Sequence, residues 1–311
     1  MTLPFYIWTK IGKFTANLIS AFSADREQRH RIRYKLDPLN PERCVAYLEK
    51  HYSQEPALET VNGERLENVI WVCWLQGIGQ APRIVQNCIK SIEQNCPQGW
   101  KVIVLTADNY ADYIHLPAIM TDKWKRGMIT NTHFSDLLRI YALVRHGGCW
   151  IDATCLMTAP IPQEIVDSPL FLFHTHGEFA YTYIQSCFIR SQPSQYVLRK
   201  WCACMKKYWE HEDRLINYFT LHLMFVALLH RDKLFSQEFA QVPIISDEPM
   251  HLLLHEIAKG SNYSDDLMTK ARKASFIQKL TYKFPAEMLD NKESLVSVLS
   301  KQTENQSCSI L

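Results

Sequence analysis

Residues Phe134 to Ile161 read FSDLLRIYALVRHGGCWIDATCLMTAPI. Leu137, Leu138, Ile140, Tyr141 and Val144 recur at helical spacing and form one apolar stripe. Ser135 or Asp136 suits the N-cap or first turn, where a short polar side chain accepts orphan backbone N–H bonds. Gly147-Gly148 ends the helix, because glycine takes left-handed angles without a Cβ clash. Cys149-Trp150-Ile151 then opens a short buried strand, and Pro160 stops the run. The stretch thus reads as one helix, a glycine turn, one buried strand and a proline stop.

Asp152 interrupts that strand. A carboxylate among Trp150, Ile151, Ala153, Cys155 and Leu156 must be paired, hydrogen-bonded or bound to a cation, because an isolated buried charge is very unfavourable. One reading is structural: a strand-end Asp bonded to loop amides, or paired with Arg139 or Arg145. The other is a functional carboxylate.

The pattern S-D-x-x-R followed by G-G-x-x-x-D resembles the sugar-nucleotide-binding core of the DXD-containing glycosyltransferases. More narrowly it resembles their capsular polysaccharide synthesis branch, whose strand reads close to GGxWIDAT. The distances of Asp136 and Arg139 from Asp152 also fit the clostridial glucosylating toxins, more distant relatives. The resemblance runs over roughly residues 68 to 161, with echoes towards residue 283. It implies a GT-A fold (a Rossmann-like nucleotide-diphospho-sugar transferase) with helical additions at both ends.

A hydrophobic content of 47% and a charged content of 21% are those of a folded soluble protein. A net charge of +2 makes no case for nucleic acid as a partner. The ten cysteines form no pair of CxxC elements, so no zinc site is predicted, and without a signal peptide reduced thiols in a cytoplasm fit best. The expected layout is a helical N-terminal extension over 1–62, a catalytic domain over 63–290 and a polar tail over 291–311.

In the extension, Ile7, Ile11, Phe14, Leu18 and Phe22 make an apolar helical stripe, and Arg26, Arg29, Arg31, Arg33 and Lys35 follow as a basic run. Such a helix either lies in a membrane interface, drawn to anionic lipid, or docks on the catalytic domain. It is too interrupted to span a bilayer. Residues 41–60 read as a second helix and a polar link.

Val69 to Leu75 is a near-continuous apolar run, the mark of a strand buried on both faces. A helix from Pro82 to about Ile92 and a second strand over Lys101–Leu105 complete a parallel βαβ unit. Ligands of such sheets sit outside the strand carboxyl ends, which places Trp74, Thr106 and Asp108 near a nucleotide. Residues 121–133 read as a loop in which Lys125 or Arg126 meets a phosphate. Leu170–Phe173 and Tyr183–Ile189 read as strands, 193–211 and 212–232 as helices, and Val242–Pro249 as a strand and turn before a helix carrying His251 and His255. His174-Thr175-His176 lacks an evident third ligand and suits an acceptor-site or structural role. Residues 290–311 are polar and expected to fray.

The resemblance assigns roles. Asp152 anchors a divalent cation, Mn²⁺ or Mg²⁺, on the donor diphosphate, because hard oxygen ligands suit those ions. Asp136 and Arg139 hold donor-sugar hydroxyls, Trp74 stacks on uracil, and Gln185-Ser186 approaches the sugar. Gln278-Lys279-Leu280-Thr281-Tyr282-Lys283 is similar to a terminal HKLTYK-like element of the capsular branch, and Lys279 is the candidate metal or phosphate contact. The chain departs from a full DXD at Thr154, where a second Asp would stand, so one formal charge is missing. Asp247, His251 and His222 are the candidates to complete a metal shell.

The implied activity is hexosyl transfer, with retention, from UDP-galactose or UDP-glucose to a lipid-linked oligosaccharide of capsule or O-antigen assembly. The amphipathic N-terminus would set the protein at the inner membrane face. The alternatives are a protein-directed glucosyltransferase and a non-catalytic sugar-nucleotide-binding or scaffold protein.

Overall fold

The computed structural model describes Ile11, Phe14, Thr15, Asp37, residues 39–58, Thr60 and residues 65–301. The basic run and most of the apolar N-terminal stripe lie outside the described residues.

A five-stranded mixed sheet organises the chain. Its strands are β1 (Val69–Cys73), β2 (Lys101–Leu105), β3 (Gly148–Ile151), β5 (Leu170–His174) and β6 (Ile184–Ser191), in the order β2-β1-β3-β6-β5. β1 is parallel to both β2 and β3, whereas β6 runs antiparallel to β3 and β5. A separate antiparallel pair joins β4 (Cys155–Met157) to β7 (Ile277–Lys279). The expectation of an α/β fold is met by a mixed sheet with a parallel portion, an arrangement compatible with a Rossmann-like fold.

The principal helices are α1 (Pro41–His51), α2 (Arg83–Gln94), α3 (Ala118–Lys125), α4 (Asn131–His146), α5 (Tyr196–His211), α6 (Thr220–Arg231), α7 (Lys233–Phe239), α8 (Leu252–Ala258), α9 (Asp265–Ala274) and α10 (Leu295–Leu299). Alternation along β1 explains its apolar run. Val69 and Trp71 join one core with residues of α4, α5 and α6, while Ile70 and Val72 join a second core with α2. Trp150 of β3 enters the first core, and Cys149 and Ile151 enter the second. Burial on both faces requires apolar residues at every position.

β2 lies on one side of β1 and β3 on the other, so the chain reverses its direction of winding at β1. A crevice opens outside the carboxyl ends of the strands at such a switch. Trp74 follows β1 there and Asp152 follows β3.

The helix expected at the start of 41–60 runs over Pro41–His51, and the described chain after it is a non-helical link. Several boundaries differ from the sequence reading. The loop expected over 121–133 is helical at both ends, in α3 and in α4. α4 is capped by Thr130, whose Oγ1 accepts the His133 N–H at 3.5 Å, so Ser135 and Asp136 stand inside the helix rather than at its cap. The helix expected from residue 212 begins only at Thr220. The preceding segment is tied to Tyr208, whose hydroxyl donates to the Arg214 carbonyl at 2.6 Å and accepts the Ile216 N–H at 3.0 Å. The strand expected near Val242 reduces to one bridge between His174 and Ser246. The tail expected to fray is ordered in α10, whose Leu295, Val296 and Leu299 are buried. Asn87 of α2 donates to the Leu299 carbonyl at 2.8 Å, which fixes that helix in place. Residues 302–311 lie outside the described residues. Among the described residues, no helix is long and apolar enough to cross a membrane.

Candidate active site

The glycine pair brings the site together. Gly147 and Gly148 take φ of +70° and +90°, which L side chains rarely adopt. A Cβ on Gly148 would meet the Val69 carbonyl oxygen at 2.2 Å. This close approach seats β3 directly against β1 and carries Asp152 to the sheet edge beside Trp74. The first residues of antiparallel β6 reach the same edge, where the Asp152 N–H donates to the Cys187 carbonyl at 2.8 Å.

Four charged side chains meet at that edge. The Arg139 guanidinium, projecting from α4, reaches Asp136 Oδ1 and Asp152 Oδ1 at 2.9 Å each and donates to Ser186 Oγ at 2.6 Å. Asp136 and Arg139 are neighbours because residues three apart share a helix face. Trp150 Nε1–H also donates to Asp152 Oδ1 at 2.9 Å, and the guanidinium lies 5.1 Å from the Trp150 ring centroid. From the other side, the Lys279 ammonium donates to Asp152 Oδ2 at 2.8 Å and to Thr154 Oγ1 at 2.7 Å. β7 delivers it: Lys279 pairs with Cys155 in the β4–β7 ladder, and the Leu280 N–H donates to the Thr154 carbonyl at 2.8 Å.

Burial pushes the Asp152 carboxyl up, but the Lys279 and Arg139 charges outweigh it and hold the group well below the usual carboxylate range. Burial pulls the Lys279 ammonium down, and the facing Asp152 carboxylate more than reverses this. Burial instead wins at Asp136, which is raised despite Arg139. His222 is held neutral, pushed down to about 3 by burial and by the Arg139 charge. Its buried Nδ1 has no hydrogen-bond partner among the described residues.

A cavity of about 330 Å³ opens over this network. Trp74, Arg139, Asp152, Thr154, Lys279 and Tyr282 are among the residues that line it. That volume lies at the small end of the range for ligand pockets. Trp74 and Tyr282 meet edge to face with centroids 5.2 Å apart, an aromatic wall beside a charged floor.

The structure separates the residues expected from sequence into two groups. Trp74, Arg139, Asp152, Thr154 and Lys279 come together in the cavity lining, and Asp136 and Ser186 join them from outside the lining through their contacts to Arg139. Thr106 and Asp108 do not line the cavity, because β2 is the sheet's outer strand and their polar groups close a local turn: Thr106 N–H donates to Asn109 Oδ1 at 2.7 Å. Gln185 follows β6's first residue but stands outside the lining. Lys125 and Arg126 are also outside it, and Arg126 faces Asp122 at 3.9 Å. Asp247 and His251 sit elsewhere, near the HxH pair. Asp247 accepts the His176 N–H at 3.0 Å and lies 4.0 Å from His251 Nδ1. Sequence reasoning gave no role to Tyr218, Asn131 or Thr132, which line the cavity. Their own segments carry no signal of it, since α4, the segment before α6 and β1 meet only through the fold.

The residues do not fit the expected divalent ion. Both Asp152 oxygens accept hydrogen bonds from Arg139, Trp150 and Lys279, and the Lys279 ammonium engages both Asp152 and Thr154, the side chains that would hold the ion. Asp247 and His251 do not join the cavity lining. Among the described residues, no group of three or more His, Cys, Asp or Glu side chains gathers to hold a metal.

A family profile described as capsular polysaccharide synthesis protein matches residues 24–299, and the chain belongs to that family. The chain is also similar to the O-glycosyltransferase PaGT of Phomopsis amygdali, with 22% identity over 183 residues. That alignment covers 54% of this chain and 43% of the fungal protein, so the chain spans less than half of that relative's length.

Proposed function

We propose that this member of the capsular polysaccharide synthesis family is a GT-A-type glycosyltransferase that moves a hexose from a UDP-sugar, UDP-galactose or UDP-glucose, to the hydroxyl of a lipid-linked oligosaccharide. The observation that carries this reading is the cavity at the β1–β3 switch, which joins an aromatic wall to a charged floor. Nucleotide sugars have the same two halves, a flat base and a charged diphosphate with a polar sugar. Family membership and the similarity to a fungal O-glycosyltransferase support transferase chemistry.

In this reading Trp74 stacks on uracil and the diphosphate lies towards Lys279. Asp136 and Arg139 address hydroxyls of the sugar, the arginine through an Nη2 N–H that its contacts to Asp136, Asp152 and Ser186 leave over. Ser186 holds one arm of the guanidinium and so fixes its aim. The sugar C1–O bond to the β-phosphate breaks with its electron pair left on UDP. A bond forms between C1 and the acceptor oxygen, and the acceptor proton passes to the departing diphosphate if configuration is retained. Fixed positive groups stabilise the charge that develops on the leaving diphosphate. The N-terminal stripe and basic run would hold the protein at a membrane surface that carries the acceptor.

Release of UDP from a panel of UDP-sugars tests the proposal. Release from one sugar, increased by a lipid-linked acceptor, supports it and names the donor. Tight donor binding without release from any sugar, with acceptor present, would favour a non-catalytic sugar-nucleotide-binding protein.

A further inference from the structure

We propose that the Lys279 ammonium takes the place of the divalent cation, so that the donor diphosphate is bound and its leaving charge stabilised without metal. This rests on the donor reading above. The observation is the position of Nζ between Asp152 Oδ2 and Thr154 Oγ1, at 2.8 and 2.7 Å. In a motif of two carboxylates these two side chains would face a shared cation.

Three features make this a built arrangement rather than a stray side chain. The β4–β7 ladder fixes the Lys279 backbone opposite Cys155, one residue after Thr154. Lys279 lines the cavity, with its side chain 22% exposed, so a ligand can reach it. An ammonium has three N–H donors, and Asp152 and Thr154 engage two, which leaves one for a phosphate oxygen.

The charges also agree. Putting threonine where a second aspartate would stand removes one negative charge. Putting an ammonium where a divalent ion would stand removes one positive charge. The two changes cancel, and the site keeps the balance of a cation-dependent one. Thr154 thereby acquires a reason: a second carboxylate there would hold Lys279 between two anions and weaken its pull on a diphosphate. Lys283, which also lines the cavity, adds a cation close to Lys279 in sequence.

When the C1–O bond breaks, its electron pair goes to the diphosphate oxygen. Lys279 holds that charge by hydrogen bonding and keeps its own protons. No redox change or further co-reactant is needed.

The test is calorimetric titration of UDP into chelator-treated full-length protein, with and without Mn²⁺, corrected by a protein-free titration for UDP–Mn²⁺ pairing. The inference predicts UDP binding in chelator, changed less than about twofold by Mn²⁺. It also predicts a roughly 10- to 100-fold weaker UDP affinity in Lys279→Met that Mn²⁺ does not restore, the size of a lost charge-assisted hydrogen bond. Wild-type UDP binding strengthened about tenfold or more by Mn²⁺ would overturn it and leave the transferase reading standing. This arm needs no variant to fold. No UDP binding under either condition would overturn the donor reading itself, and the inference with it.

Discussion

The Lys279 ammonium lies 2.8 Å from Asp152 Oδ2, although the two residues are 127 positions apart. The fold closes that distance by pairing the two short strands β4 and β7. A site that the chain's central motif only half specifies is completed by a lysine from near its end.

Asp152→Ala should abolish transfer, and the structure adds a second effect. The carboxylate compensates both Arg139 and Lys279, so its loss leaves two cations facing each other across a largely buried edge. A destabilisation of roughly 3 kcal/mol is expected, which thermal unfolding would register as a clear fall in Tm. Unchanged UDP release would remove Asp152 from the mechanism.

Arg139→Lys keeps the charge and loses the fork. One ammonium cannot reproduce the simultaneous contacts to Asp136, Asp152 and Ser186. kcat/KM for the donor should fall roughly 100-fold, the effect of a misaimed positioning group. Wild-type kinetics in this variant would make Arg139 a purely structural residue.

Trp74→Ala should raise the donor KM by roughly 10- to 100-fold with a smaller effect on kcat, because base stacking binds ground and transition states alike. Trp74→Phe should recover much of the loss. If kcat carried the whole effect instead, Trp74 would not be the base platform.

Gly148→Ala tests the fold rather than the chemistry. Its φ of +90° and the 2.2 Å clash with the Val69 carbonyl leave no room for a methyl without moving β3 from β1. A loss of several kcal/mol, roughly 3 or more, is expected in denaturant unfolding. A stable, native-like Gly148→Ala protein would contradict the strand packing described above.

Acid stability should depend on His222. Its folded value of about 3 lies below the ordinary histidine value, so between the two the unfolded chain binds the extra proton. Stability is therefore full above about pH 6.5 and falls as pH drops towards 3. Burial also holds His146, His174 and His251 below their ordinary values, so the slope of Tm against pH should shrink in His222→Gln rather than vanish. Asp152, whose value is lowered, adds to that slope only as pH falls below the ordinary carboxylate value of about 3.9, and Lys279, whose value is raised, loses its contribution only in strong alkali. An unaltered slope in His222→Gln would show that this residue is not buried neutral.

What was legible in the sequence follows from burial. β1, β2 and β3 were readable because short apolar runs end at polar or glycine punctuation, and Gly147-Gly148 because its geometry excludes other residues. α3 was hidden by composition: it buries only Met120 and Lys123, so no apolar stripe marks it. Thr106 and Asp108 were placed by the rule of strand carboxyl ends, which holds at the β1–β3 switch and not at the outer strand β2. Lys279 stands in a segment that resembles a family element, but its contact with Asp152 depends on a long-range strand pairing that no local pattern encodes. The same is true of Tyr218, and of the separation of Asp247 and His251 from the cavity.

The most direct measurement is a crystal structure of the full-length protein with UDP bound. The account predicts uracil on Trp74 and a diphosphate oxygen within hydrogen-bond reach, about 3 Å, of Lys279 Nζ. Nucleotide density away from the β1–β3 switch, or a diphosphate turned away from Lys279, would contradict it.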